Sequence, residues 1–363
     1  MKASVVRPHE LGPHELECWR EYQSADLSAQ TPFLTPGFAL AADAVSDRSR
    51  VVVVEDDSAV VGFLPIELRS RRVATAIGGK VNTRQGFIHR GGFEWSWPEL
   101  LKAAGLEVLE LAELIGSQWH GIQSLKPASA PTIDTDGGWT PYLNRIATRK
   151  AIKTVLYKER KLLREHPDMV FSSGAATDHV DLGRLIAWKS RQYRRSGWPD
   201  LFARRDVVAL LHKLAEEPSD GVYCVGSSLR VGGQAIATDL SLATDTVFTG
   251  WFCAHDPEWA RYSPGAVRTL RTIAAVFARG VQCIDLSRGD EQYKHTLKTD
   301  DRSVMTGFVS RRSPRALMYA ACRRPSSAAT SYVLSHPEVR SLVRSSLRKV
   351  GRTREVLAGR GSS

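Results

Sequence analysis

The chain has 363 residues, 42% of them hydrophobic and 25% charged, which is ordinary for globular proteins and long enough that we expect two or three domains. Residues 311–363 hold 12 of the 50 Lys/Arg residues and 2 of the 39 Asp/Glu residues, so the net charge of +11 lies almost entirely in this tail. Nucleic acid is therefore not expected to bind the nearly neutral body. Five single cysteines argue against a disulfide framework or a zinc site, and we expect no metal.

Residues 1–145 have the pattern of a mixed α/β unit. A proline-bounded apolar segment at 32–36 predicts a rigid start to a helix that continues to residue 45. Valine-rich runs at 51–54 and 60–66 predict the two strands of a hairpin, because turn-forming residues separate them. Apolar residues at helical spacing predict a further helix over residues 100–114.

The next part of the chain, residues 146–310, repeats this order of elements. An amphipathic helix over 145–164 links the two parts; its basic face is interpreted as solvated, with a nucleic-acid surface as the alternative. Further helices and strands are predicted in this order: helices at 182–195 and 205–216, then strands at 222–225, 234–242 and 247–254. The repeated order predicts two related mixed-sheet units with flanking helices, and two unrelated hairpins are the alternative.

A Ser-Pro-Gly sequence follows the strand at 247–254. Ser263 suits a helix N-cap, Pro264 suits the first helical position, and Gly265 lets a ligand come close to the backbone. The helix that begins here is predicted to end near residue 279, and its N-terminus favours a phosphate group. Three arginines are placed to add charge-assisted contacts: Arg261, Arg268 and Arg271. An ordinary capped helix without a ligand is the alternative.

Polar side chains are concentrated after the next strand, at 282–286. They are Asp285, Arg288, Asp290, Tyr293 and Lys294. So dense a cluster directly after a buried strand predicts a reaction site rather than a solvated loop. Asp239, a carboxylate within an otherwise apolar strand, is a candidate general base, with a salt-bridged or solvent-facing aspartate as the alternative. His255 is a second candidate base, or a surface histidine.

The two motifs together carry a resemblance to a known superfamily. Residues 262–265 (YSPG) and 285–294 (DLSRGDEQYK), with 32–38 and 61–65, resemble the GNAT acyltransferases. Within that superfamily they resemble the CelD/BcsL-type acetyltransferases of cellulose biosynthesis, which are related to the FemAB-like tandem fold. The resemblance covers roughly residues 15–310. It implies an α/β (α+β) fold made of two GNAT-like units in tandem, divided near residue 145 and followed by a basic tail.

The resemblance also implies an enzyme that transfers an acyl group, with acetyl as the leading candidate, from acyl-CoA to an amine or hydroxyl. The acceptor would be a sugar, a polysaccharide or an envelope-lipid precursor. The donor would bind to the second unit at five residues: Ser263, Pro264, Gly265, Ala266 and Arg268. Since the loop at 261–266 has less glycine than is usual in GNAT proteins, aminoacyl-tRNA remains an alternative donor. A noncatalytic protein that docks to a membrane or partner is a further alternative.

The same resemblance suggests roles for the polar cluster. Tyr293 would protonate the leaving thiolate or orient the acceptor. Arg288 and Lys294 would hold an anionic acceptor or a CoA phosphate. Asp285 and Asp290 would position an amine or act through water.

The tail has the pattern of a cationic amphipathic helix, with apolar residues of 339–350 on one face and arginines around the remainder. Such a helix can lie on an anionic membrane, dock on the body of the protein or bind polyanions. The amino terminus lacks the apolar run of a signal peptide, and no uncharged apolar stretch approaches 18 residues. We expect a cytoplasmic protein, with peripheral contact at the inner membrane face as one role of the tail.

Overall fold

The computed structural model describes residues 1–119, 122, 125–174, 179–216, 218–311, 313, 314 and 319. The predicted tail helix over 339–350 lies outside these residues. Within the described ranges, no helix is long and apolar enough to cross a membrane.

The first part of the chain forms seven of the described strands and three helices. In chain order they are β1 (Lys2–Val6), α1 (Pro13–Ala25), α2 (Pro36–Val45), β2 (Ser49–Asp56), β3 (Ala59–Ser70), β4 (Val73–Ala76), β5 (Ile88–His89), α3 (Trp97–Ala103), β6 (Val108–Leu114) and β7 (Lys126–Asp134). The predicted hairpin is confirmed as β2 and β3, and the helix that follows the proline-bounded segment is confirmed as α2.

The second part alternates helices and strands. In chain order they are α4 (Trp139–Ala147), α5 (Lys150–Glu165), β8 (Val170–Gly174), α6 (His179–Ser196), α7 (Arg205–Glu216), β9 (Tyr223–Val231), β10 (Gln234–Ala243), β11 (Val247–His255), α8 (Pro264–Phe277), β12 (Cys283–Asp285), α9 (Gln292–Leu297) and β13 (Asp300–Ser310). The helices and strands predicted in this part are present, except that the helix predicted over 145–164 begins only at Lys150, after α4 has ended at Ala147.

One predicted helix is wrong. Residues 100–114 do not form a single helix, because α3 ends at Ala103 and the chain then continues as strand β6. Gly105, at φ +66°, reverses the backbone between the two elements. The apolar spacing that suggested one helix arises from a short helix and a strand that are both buried.

The strands pair into one continuous mixed sheet. Their order is β1-β2-β3-β4-β6-β13-β7-β12-β11-β10-β9-β8, with β5 paired to β3 beside this path. Among these pairs, β4 with β6 and β11 with β12 are parallel and the others are antiparallel. The large mixed sheet with flanking helices confirms the predicted α/β fold class.

The two units exchange their last strands. Strand β7, from the first part of the chain, pairs with β12 of the second, whereas β13 returns to pair with β6 of the first. The two exchanged strands also pair with each other, from Asp300 opposite Thr132 to Thr306 opposite Lys126. We call the region around these strands the seam. The exchange brings the ends of β6 and β12 to opposite sides of the same pair of strands.

Helices cover both faces of the sheet. On one face α1, α2, α6 and α7 share a core that contains Trp19, Phe38, Leu210 and Leu240. On the other face α3 packs over the first unit, and α4, α5, α8 and α9 pack over the second. Alternate residues of a strand point to opposite faces, so the position of a strand residue tells which helical layer its side chain meets.

Candidate active site

Strands β11 and β12 run side by side for three residues and then separate. They pair at Val247 with Cys283, Phe248 with Ile284 and Thr249 with Asp285, whereas β11 alone continues to His255. The Ser287 hydroxyl donates a hydrogen bond to the Gly250 carbonyl at 2.8 Å and holds the chain at the point of separation. We call this opening the fork. Beyond it, one edge of β11 pairs with no described strand and offers its peptide groups to a ligand.

Strand β11 carries a bulge at the fork. Leu240 of β10 faces Phe252, but the next residue, Ser241, faces Gly250, so Trp251 is an extra residue in β11. A bulge bends a strand and re-aims its peptide groups. The Trp251 indole donates a hydrogen bond to the Val81 carbonyl at 2.7 Å, which anchors the bulge to the first unit.

The start of α8 differs from its predicted geometry. Pro264 is the first helical residue and Ser263 is the N-cap residue, as expected, but the Ser263 side chain makes no capping hydrogen bond. Ser263 has left-handed backbone angles (φ 50°, ψ 51°), since it also ends the short helical turn Pro257–Tyr262. Its hydroxyl instead accepts a hydrogen bond from Lys158 Nζ of α5 at 2.7 Å. A lysine thereby stands at the N-terminus of α8.

The end of β11 packs closely against the start of α8. A Cβ placed on Gly265 would lie 3.2 Å from His255 Nδ1, which is tighter than an ordinary contact. The Ala266 amide is already occupied by the Ser263 carbonyl at 2.9 Å. Gly265 is therefore the position where the helix start and the strand end approach without a side chain between them.

Arg268, which was expected to bind the donor, and Asp239, the candidate general base, form one buried ion pair. Arg268 of α8 is 3% exposed, and its Nη1 lies 2.7 Å from Asp239 Oδ2 of β10. The Ser227 hydroxyl of β9 accepts a hydrogen bond from Arg268 at 3.1 Å and also contacts Asp239. The Arg268 guanidinium thus points toward the sheet, and the pair holds α8 onto β9 and β10 below the fork.

An arginine of the first unit joins two carboxylates across the seam. Arg84 Nη2 donates to Asp285 Oδ1 at 2.6 Å and to Oδ2 at 2.5 Å, and Arg84 Nη1 donates to Glu113 Oε2. The three side chains are at most 8% exposed. We call Arg84, Glu113 and Asp285 the seam triad. One buried cation thus lies between two buried carboxylates.

Burial has a strong effect on Glu113. Burial raises the pKa of Glu113 to about 7, although the charges of Arg84 and Arg288 oppose the rise. A register shift aims this side chain: Met305 of β13 faces Leu114, but Gly307 faces Leu111, so two residues of β6 lie opposite one of β13. Such a bulge turns Glu113 out of the regular alternation of the strand.

The loop after β12 places two more predicted residues beside the triad. Arg288 Nε lies 3.6 Å from Glu113 Oε1, and its side chain is 47% exposed. Lys294 is buried; its Nζ donates to the Ser287 carbonyl at 3.2 Å and to the Arg288 carbonyl at 2.8 Å. Lys294 therefore fixes the shape of the loop, whereas Arg288 remains open to a ligand.

The remaining predicted residues lie at the other side of the fork or in solvent. Tyr293 of α9 is half-exposed and lies within electrostatic range of Cys253 on β11. Asp290 is largely exposed and pairs with His295 Nε2 at 2.8 Å. The structure thus groups Asp285, Arg288 and Lys294 together and leaves Asp290 at the surface.

Sequence reasoning missed Arg84 and Glu113. Glu113 fell inside the segment interpreted as helix; interpreted as a strand, the same segment shows a carboxylate two residues after the buried Leu111. A carboxylate so close to buried strand residues was the available signal, although the bulge in β6 takes Glu113 out of the alternation itself. Arg84 offered none, because its partner Asp285 lies 201 residues further along the chain.

A polar cleft covers the face of the sheet on which Asp285 lies. Ile284 packs with the layer of α8, so its neighbours in β12 point to the opposite face. Two adjoining cavities of about 470 and 370 Å³ lie there, both lined by Leu27, Gln30, Val247 and Arg302. Arg84 and Asp285 line the smaller cavity, so two members of the seam triad form part of the wall of this cleft.

Most of the larger cavity is lined by hydrogen-bonding side chains. They are Gln30, Thr132, Asp134, Asp136, Arg145, Thr246, Gln282, Thr299, Asp300 and Arg302. Among the described residues, no group of three or more His, Cys, Asp or Glu side chains is arranged to hold a metal ion. The lining is suited to a ligand rich in hydroxyl, amine or amide groups.

The fold is similar to that of solved proteins at low sequence identity. The C-terminal domain (DUF2156) of a putative lysylphosphatidylglycerol synthetase from Agrobacterium fabrum matches with a TM-score of 0.52 at 10% identity, over 85% of this chain and 94% of that chain. A tandem GNAT protein from the clavulanic acid biosynthesis pathway matches with a TM-score of 0.48 at 11% identity, over 85% and 98%. FemX matches with a TM-score of 0.47 at 10% identity, over 72% and 87%. At such identity the likeness to the Agrobacterium domain concerns the fold.

The sequence matches one protein-family model. No curated protein sequence matches this chain. Residues 149–295 match the family model of the acetyltransferase (GNAT) domain, and this range contains the fork, the start of α8 and Asp285. Residues of the second unit thus match a GNAT acetyltransferase domain in sequence.

Proposed function

We propose that the protein is an acyltransferase that moves an acyl group from acyl-CoA to a polar amine or hydroxyl acceptor. Acetyl is the leading candidate for this group. The observation that carries this proposal is the fork between β11 and β12, which opens beside the start of α8. The match of residues 149–295 to the GNAT acetyltransferase domain supports it.

The donor would lie in the fork. The free edge of β11 supplies peptide groups for an extended amide-containing chain such as the pantetheine arm of CoA. At the end of that edge, a phosphate would lie at the start of α8 beside Gly265, which carries no side chain, and the helix dipole favours an anion there. Lys158, held at Ser263, adds a positive charge at the same place.

The two sides of the fork carry the groups that acyl transfer requires. A bond forms between the acceptor nitrogen or oxygen and the acyl carbon while the carbon–sulfur bond breaks. Asp285, on the cleft side, would take the proton from the acceptor. Tyr293, on the side of α8, would protonate the leaving sulfur. The proposal therefore gives one proton acceptor and one proton donor on opposite faces of the sheet.

The cleft suits a polar acceptor. Its hydroxyl, amide, carboxylate and guanidinium lining favours a sugar, an amino sugar or a similar compound over a lipid chain. Such an acceptor agrees with the CelD/BcsL-type acetyltransferases that the motifs resemble, and the protein would belong to that branch. An acceptor bound there has direct access to Asp285.

Calorimetric titration of the full chain with CoA and acetyl-CoA tests the donor site. We expect binding by the wild type and at least severalfold weaker binding by Lys158→Met, because that lysine stands at the phosphate end of the fork. Lys213→Met is the matched control, since Lys213 of α7 is half-exposed and pairs only with Glu216 among the described side chains. Absence of wild-type binding at millimolar ligand would overturn the use of acyl-CoA.

Aminoacyl-tRNA as the donor is a second candidate. It is favoured by exposed side chains along α5, the helix that supplies Lys158: Lys153, Arg160 and Arg164, with the 57% exposed Tyr157 among them. A basic surface with an exposed aromatic ring suits RNA. This candidate predicts binding of tRNA that weakens steeply with salt, together with no binding of CoA.

A further inference from the structure

Two buried side chains of the first unit, Arg84 and Glu113, are joined to Asp285 of the second unit at the cleft. Arg84 holds both oxygens of Asp285, at 2.6 and 2.5 Å, and the same guanidinium binds Glu113. Asp285 and Arg84 line the cleft, whereas Glu113 does not. Glu113 therefore acts on an acceptor only through Arg84 and Asp285.

The fold builds this arrangement by two separate features. The exchange of β7 and β13 brings β6 and β12 to the same seam. The extra residue in β6 then aims Glu113 at Arg84. A carboxylate turned inward by a bulge and held by a shared arginine costs folding free energy, because buried charges lose their hydration.

We propose that Arg84 and Glu113 are positioning residues of the reaction site, and that the protonation of Glu113 sets how readily Asp285 takes a proton from the acceptor. The inference rests on the proposed acyl transfer. When Glu113 carries a proton, the Arg84 charge acts on Asp285 alone and makes it a poor proton acceptor. When Glu113 is ionised, Arg84 is shared between two carboxylates and Asp285 accepts a proton more readily.

Among the described residues, the charged groups with the strongest influence on Glu113 are consistent with this exchange. Arg84 and Arg288 favour its ionised form and Asp285 opposes it, while Lys294 of α9 adds a further favourable charge. Burial is the largest influence and raises the pKa of Glu113 to about 7. Acyl transfer should therefore increase as pH rises through about 7, and this rise should depend on Glu113.

Carbon-13 NMR of protein labelled at the Asp and Glu carboxyl carbons measures the coupling without an acceptor. The Asp285 signal, assigned with Asp285→Asn, should change near pH 7 in the wild type as Glu113 ionises. In Glu113→Gln that change should be absent. An Asp285 signal that is insensitive to pH near 7 in the wild type would overturn the inference.

The second measurement is the release of free CoA from acetyl-CoA with glucosamine as the acceptor probe, followed from pH 5.5 to 9. Glu113→Gln should lower the rate about tenfold at pH 8 and little at pH 6, and Glu113→Asp should restore part of the loss. Glu67→Gln is the matched control, because Glu67 is another buried glutamate whose pKa is raised by burial, near Arg48 and away from the seam.

The outcomes separate the two proposals. A loss of equal size at every pH would show that Glu113 has only a structural role and would overturn the inference. An inactive wild type would count against the proposed transfer to an amino sugar. The NMR titration would then be the test of the coupling between Glu113 and Asp285. The Gln substitution leaves Arg84 paired with Asp285, so the variant keeps its buried arginine neutralised.

Discussion

Arg84 and Asp285 are 201 residues apart in sequence, yet the Arg84 guanidinium donates to both carboxylate oxygens of Asp285. The contact crosses from the first unit to the second through the exchanged strands. The unit without the Ser-Pro-Gly helix start therefore contributes directly to the wall of the cleft. Stability and proposed function depend on the same buried ion pairs.

Removal of Arg84 should destabilise the protein strongly. Arg84→Ala leaves Glu113 and Asp285 buried without their cation, and we expect a loss of about 3–5 kcal/mol in the free energy of unfolding. The matched control is Arg20→Ala, since Arg20 also binds an aspartate of the other unit through two hydrogen bonds but is half-exposed. That change should cost about 1 kcal/mol or less. Equal losses in urea denaturation would contradict the burial argument.

Stability should depend on pH through Glu113. Its pKa is raised from 4.5 to about 7, so the folded protein keeps a proton that the unfolded chain releases. The contribution of this group to the free energy of unfolding therefore decreases as pH rises from about 4.5 to about 7, by on the order of 3 kcal/mol.

Urea denaturation at pH 5 and pH 8 measures this dependence. The decrease between the two values should be smaller in Glu113→Gln than in the wild type, because the amide does not titrate. Other titrating groups contribute to both proteins and cancel in the comparison. The same decrease in both proteins would show that Glu113 titrates alike in the folded and unfolded states.

Tyr293 should affect chemistry rather than donor binding. Tyr293→Phe removes the phenolic hydroxyl at the fork, and we expect kcat for acyl transfer to decrease by about tenfold to a hundredfold with little change in CoA affinity. Tyr157→Phe, at an exposed tyrosine of α5, serves as the control and should leave kcat unchanged. A fully active Tyr293→Phe enzyme would exclude this residue as the proton donor.

Gly265 should be needed for the donor. In Gly265→Ala the new Cβ would lie 3.2 Å from His255 Nδ1 and would occupy the approach to the start of α8. We expect CoA to bind about tenfold more weakly in calorimetry. Gly183→Ala in α6 is the control, because its Cβ would meet no atom within 4 Å and alanine favours the helix. Unchanged affinity in Gly265→Ala would place the donor phosphates elsewhere.

Local sequence patterns predicted much of the fold. The hairpin of β2 and β3, the helix α8 from Pro264 and the polar loop after β12 all follow from alternation, helix-start chemistry and turn residues. Such signals act over a few residues and hold where the tertiary context agrees with them. They failed at residues 100–114, where a short helix and a buried strand together imitate one helical period.

The sequence by itself determined the hairpin of β2 and β3, the order of most helices and strands in the second unit and the side chains gathered after β12. Only the tertiary structure decided which of those side chains meet: the strand exchange and the bulge in β6 bring Arg84 and Glu113 to Asp285, and the helix α8 turns Arg268 toward Asp239. The physical reason is that strand register and burial depend on partners far along the chain, whereas propensity and spacing report only on neighbours.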